Sequence, residues 1–194
     1  RNVIFALREA GRIEPLSTNL DLFMAPADGS TAPRNLTDAN DATDTLPAVS
    51  PDGKWLAYVA MKRPGYEADR QVLMLRNLAS GETRAVTESW DRSVGSIAWS
   101  PDGRRILVTA QDTQEQPIFA VYPTSGRVTR LTEYGHVAAV VPTAKGAVYA
   151  MDSLTEPGDF YALEGNRSVR LTNVNATKLA GVEMPRITRF NFKG

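Results

Sequence analysis

Six side chains in two short stretches carry the densest binding chemistry in the sequence: Tyr66, Glu67, Asp69 and Arg70, then Asp91 and Arg92. Carboxylates such as Glu67 and Asp69 hold ammonium groups through charge-assisted hydrogen bonds, and an arginine fork holds a carbonyl or a carboxylate. The same residue types also pair with one another to pin a turn, which is the competing reading of any loop Asp–Arg set. Bond-breaking chemistry is not visible. There is no Gly-x-Ser-x-Gly nucleophile elbow, and His136 is the sole histidine. A nucleophile, a base and an orienting carboxylate are therefore not supplied as a set. Asp38, Asn40, Asp41 and Asp44 gather hard oxygens, but their spacing misses the EF-hand template and reads as a solvated turn. His136 has no Cys or His companion for a metal, and no cofactor is expected.

The elements that position these loops are marked by a repeat. Ser-Pro-Asp-Gly occurs at Ser50–Gly53 and again at Ser100–Gly103. A short apolar segment precedes each copy and a longer one follows it, Trp55–Ala60 in the first and Ile106–Ala110 in the second. Proline at the second turn position and glycine at the fourth suit a type I turn, so each copy reads as a hairpin. A third apolar run and a Ser-Gly turn follow in both units, and each unit closes on threonine. Those threonines stand at 37, 87, 132 and 172. Self-similarity at a period of roughly 40 to 50 residues marks propeller blades. The fold expected is all-β: a propeller of four-stranded antiparallel blades in a partial ring of three to four. The blades are placed at about 1–41, 42–91, 92–135 and 136–174, with 175–194 as a linker ending in a strand-like run, Ile187–Phe192. Blade strands covered on both faces read as apolar runs rather than alternations. Little helix is expected, and Trp90 and Trp99 read as core packing.

Twenty-two basic and twenty-two acidic residues cancel, without a basic stripe, so nucleic acid and anionic membranes are poor partners. No apolar run is long enough to span a bilayer. Absence of cysteine excludes disulfides and fits cytoplasm or periplasm. Both ends read as cut: Arg1-Asn2 begins where a second blade strand begins, which points to part of a larger ring. An incomplete ring exposes apolar flanks and strand edges, so self-association is expected.

The blades, together with Ser17–Phe23, Met61–Arg70 and Trp90–Gly95, resemble the propeller of prolyl oligopeptidase-family serine peptidases, in particular the bacterial dipeptidyl peptidase 5-like and acylaminoacyl peptidase group. Gly65–Arg70 followed by Asp91–Gly95 is the more telling part, because Tol-system propellers also carry Ser-Pro-Asp-Gly. The resemblance implies a propeller that caps an α/β-hydrolase domain, admits short peptides and works in the periplasm, with the cytoplasm as the alternative. The chain itself is then expected to be non-catalytic, with the hydrolase domain of the same parent as its partner. By the same resemblance, Ile187–Phe192 would be the first strand of that domain.

A four-stranded meander enters and leaves on one rim of the ring, so an attached domain rests against the loops between strands two and three and between blades. Tyr66, Glu67, Asp69, Arg70, Asp91 and Arg92 are therefore expected to border the substrate cavity or the domain interface. Two other functions compete. One is a free-standing interaction module of the Tol-system type, binding a protein in its channel. The other is an enzyme site within the channel, which the Ala, Val and Ile of the inner segments disfavour.

Overall fold

In a computed structural model, which describes residues 1–8 and 11–193, the two Ser-Pro-Asp-Gly turns are built by the same bonds. Ser50 Oγ donates to Asp52 Oδ1 (2.6 Å) and accepts from the N–H of Trp55 (3.0 Å), while Asp52 Oδ1 also accepts from the N–H of Lys54 (3.1 Å). Ser100, Asp102, Arg104 and Arg105 repeat this set at 2.6, 3.0 and 2.9 Å. Gly53 and Gly103 close the turns at φ 73° and 68°, a region that a Cβ penalises.

Around these turns the chain forms four sheets of adjacent antiparallel strands. The first has three strands, β1 (Asn2–Leu7), β2 (Asp21–Pro26) and β3 (Arg34–Asn35). The second holds β4 (Asp44–Val49), β5 (Trp55–Ala60), β6 (Val72–Asn77) and β7 (Thr83–Ala85). The third holds β8 (Ala98–Trp99), β9 (Ile106–Thr109), β10 (Ile118–Val121) and β11 (Val128–Arg130). The fourth holds β12 (His136–Thr143), β13 (Gly146–Asp152), β14 (Asp159–Glu164) and β15 (Arg167–Arg170). Each is a blade, and the propeller fold follows. Helix is confined among the described residues to a 3-10 turn at Gly11–Leu16 and α1 at Ala176–Leu179.

Packing explains why the inner strands are apolar runs. A strand presents successive side chains to opposite faces. Leu56, Tyr58 and Ala60 of β5 face the first blade, whereas Ala57 and Val59 face the third. Likewise Ile106 and Val108 of β9 face the second blade and Leu107 the fourth. Trp90 and Trp99 pack against the central cluster, Trp90 edge-on to Phe119 at 4.9 Å and Trp99 through a 3.0 Å bond from Nε1 to the Ala48 carbonyl.

The fourth blade departs from the expected pattern. Burial alternates along β13 and β14, because Tyr149, Tyr161 and Leu163 turn toward the third blade while the other face meets solvent. Phe160 is 55% exposed there, and Val141 64%. Residues 187–192 form no strand in this structure, where no sheet edge pairs with them. No helix of the described residues is long and apolar enough to cross a membrane.

Candidate functional site

Three seams between blades are clipped on the same rim. The backbone of the segment entering each blade bonds to the end of the loop that leads into the preceding blade's penultimate strand: Asp44 N–H to Leu20 O (2.7 Å), Val94 N–H to Gln71 O (3.0 Å) and Val137 N–H to Gln116 O (3.0 Å). That rim collects the loops between strands two and three and the crossings between blades. The Ser-Pro-Asp-Gly turns lie at the other end of the strands.

On this rim the 61–71 loop is held by Asp69. Its carboxylate accepts from the N–H groups of Lys62 (2.8 Å) and Arg63 (2.9 Å) and from Arg63 Nε (3.2 Å). Those backbone donors, that of Lys62 foremost, hold its carboxyl down at about 2. Arg63 lies over the Tyr66 ring, 3.8 Å from its centroid. Gly65 N–H reaches across to Thr18 Oγ1 at 2.8 Å, tying the loop to the first blade.

Arg70 joins this loop to the next crossing. It donates to the carbonyls of Glu88 (2.9 Å) and Trp90, and Glu88 also pairs with Lys62 at 2.5 Å. The two sequence stretches singled out above thereby meet, since Trp90 is the neighbour of Asp91. Arg92 continues the chain of charge, pairing with Asp91 (2.6 Å) and with Asp112 (2.9 Å). Asp112 takes Arg130 on its other oxygen at 2.8 Å, and Arg92 holds the Asp112 carboxyl below the usual carboxylate range. Single exposed ion pairs contribute about 1 kcal/mol or less. Their effect here is to fix the loops relative to one another.

The six residues thus divide. Asp69, Arg70 and Arg92 are spent on holding loops, Asp91 is exposed beside Arg92, and Tyr66 lies under Arg63. Glu67 is exposed and makes no hydrogen bond or ion pair among the described residues. It is the member of the set whose carboxylate is available to a ligand.

Sequence reasoning missed Glu88, Asp112 and Arg130. A signal for the last was present in the Arg-Leu-Thr endings at 130–132 and 170–172. Both arginines donate Nε to the threonine carbonyl, at 2.8 and 3.0 Å, and Nη to a carboxylate, Asp112 or Asp159. Further along the rim a cavity of about 770 Å³ is lined by Glu115, His136, Asp152, Ser153 and Arg189 among others. His136 Nδ1 lies 3.3 Å from Asp152, and Glu115 accepts from Gly135 N–H at 2.6 Å and pairs with Arg189. The Ser153 hydroxyl accepts from Thr155 and Glu156 N–H, closing its own turn. Among the described residues no serine hydroxyl bonds to His136.

No protein-family model matches the chain. A curated relative, dipeptidyl-peptidase 5 of Porphyromonas gingivalis, is 30% identical over 163 residues, 83% of this chain and 24% of the relative. The chain therefore spans about a quarter of that protein's length. Among solved structures, TolB from Acinetobacter baumannii matches 89% of this chain and 41% of its own at a TM-score of 0.68 and 23% identity. The acylaminoacyl peptidase of Pyrococcus horikoshii matches 94% of this chain and 27% of its own at 0.68 and 13%. The β-propeller domain of the Trilobed protease from Pyrococcus furiosus matches 80% and 44% at 0.59 and 14%. At these identities the structures speak for the fold alone.

Proposed function

This chain is propeller sequence of the prolyl oligopeptidase family of peptidases, and from that premise we propose that it gates a serine exopeptidase. In this reading the propeller is non-catalytic, stands over a separate α/β-hydrolase domain of the same parent, and admits and helps position short peptides in the periplasm. The observation that carries the reading is the charge-laced rim, on which all three seams and all six candidate residues lie. A rim cross-tied in this way gives a rigid surface for a second domain and holds Glu67 beside the entry.

Within that surface Glu67 takes the α-ammonium group of the incoming peptide, since a carboxylate without another partner is free to form charge-assisted hydrogen bonds. Asp69 acts indirectly, by fixing the loop that carries Glu67. Dipeptide release by the full-length parent tests the assignment. Glu67→Gln is expected to raise KM about tenfold with kcat retained, the equivalent of one lost ionic hydrogen bond. Asp69→Asn is expected to raise KM as well, with loss of loop order visible by hydrogen exchange. Unchanged KM in both variants overturns substrate positioning by this loop. The likeness to TolB concerns blade geometry, so a free-standing interaction module gains no separate support from it.

A further inference from the structure

The seam between the first two blades holds a side chain that the rim network does not use. Asp44, the first residue of β4, is 1% exposed. Its two oxygens share the Asn40 amide at 3.1 Å each, and beyond it only the Thr37 hydroxyl, which also reaches Asp21 at 3.2 Å, lies close enough to favour the ionised form. An ionised carboxylate offers about four acceptor positions. Burying one without a cation or several donors is costly. Among the described residues no lysine or arginine lies within ion-pair distance of it.

Asp44 and Asn40 line a cavity of about 500 Å³. Its remaining walls are largely apolar, with Leu36 from the first blade and Tyr58, Val72 and Met74 from the second. Lys62, Arg76 and Glu88 also line it, and all three are engaged: Lys62 with Glu88 at 2.5 Å, Glu88 also with Arg70 at 3.6 Å, and Arg76 with Thr83 Oγ1 at 3.2 Å. On the first blade, Asp21 adds a negative field and is itself occupied by Asn35 and Thr37. The seam therefore combines a buried, under-partnered carboxyl group with a cavity whose walls are largely apolar. That is the complement of a cation carried on an aliphatic stem.

We propose that this cavity binds an alkylammonium or alkylguanidinium group, the chemistry shared by free aliphatic amines and by lysine and arginine side chains. The Asp44 carboxylate receives the cation, and Leu36, Tyr58 and Met74 receive the stem, methionine adapting to its shape. Burial, and to a lesser degree Asp21, pushes the Asp44 carboxyl up to about 7. A cation arriving there favours the ionised form. The site is independent of the peptidase reading.

The test titrates the 194-residue chain with n-butylammonium and, separately, with end-blocked lysine, following backbone amide resonances of Ala60, Met74 and Ala85 by NMR. Binding at about pH 8 is expected to weaken about tenfold in Asp44→Asn, and to weaken again in the native chain at about pH 5.5. Ala85→Leu, which fills the cavity and keeps the carboxylate, is expected to abolish it with the fold intact. Binding of n-butylammonium alone assigns the site to free amines, and binding of blocked lysine assigns it to peptide side chains. Equal affinity of the native chain and Asp44→Asn, or no response of the seam to either probe at about pH 8, overturns the proposal.

Discussion

The hydroxyl oxygen of Thr87 accepts a hydrogen bond from the backbone N–H of Leu73 at 2.9 Å, and the threonine that closes each of the other blades makes the same bond. Thr37 takes Leu22, Thr132 takes Ile118 and Thr172 takes Phe160, all at 2.9 Å. Each bond joins the end of the outermost strand to its neighbour, where the regular ladder has run out. The recurrence in the sequence is thus one physical requirement met four times.

Thr87→Val keeps the shape of the side chain and leaves the N–H of fully buried Leu73 without an acceptor. A loss of about 1–3 kcal/mol in unfolding free energy is expected. Thr172→Val should cost at least as much, because that hydroxyl also donates to the buried Asp159 carboxylate at 2.6 Å and both bonds are lost together. Urea midpoints of the two variants check both the loss and its order.

Stability should respond to pH in two opposite ways. Asp44, pushed up to about 7 by burial, keeps a proton in the fold that it releases near 4 when unfolded. Its contribution is fully present below about 4 and is lost as pH rises toward 7. Asp159 and Asp69, both held at about 2, act in reverse: Thr172 and Arg170 stabilise the first as a carboxylate, and backbone N–H groups the second. Their contributions are present above about 4 and are lost as pH falls toward 2. Asp44→Asn should remove the decline between about 4 and 7 and leave the acid limb in place. Melting curves across that range check this, and an unchanged slope in the variant counts against it.

The uncovered face of the fourth blade carries Phe160 and Val141 at 55% and 64% exposure. Apolar surface of this kind drives association. Light scattering of the dilute chain is expected to show species larger than the monomer, and Phe160→Glu with Val141→Lys to restore the monomer. A native chain that stays monomeric at high concentration contradicts the expectation.

The blade repeat is legible in sequence because local bonds make it. Ser50 and Asp52 are two residues apart, and a turn so closed announces itself. The rim network is not legible, because Asp112 meets Arg130 and Arg92 across 18 and 20 residues and two strands of β-structure lie between. Nor could the role of Asp44 be read there. In the sequence it looks like one more residue of an acidic loop, and only the packing of the first blade on the second buries it while Asp38 and Asp41 remain exposed. Alternating burial in β13 and β14 was hidden for a related reason, since apolar composition does not say whether a second blade covers the other face.

The central claim is that the loop rim, and not the Ser-Pro-Asp-Gly rim, faces a second domain in the parent. Lys54 and Lys62 lie beyond opposite ends of β5, a six-residue strand about 20 Å long, and both amines are exposed. Amine-reactive cross-linking of the full-length parent, read by mass spectrometry, should join Lys62 to the second domain and leave Lys54 without inter-domain links. Inter-domain links from Lys54 with none from Lys62 would contradict the account.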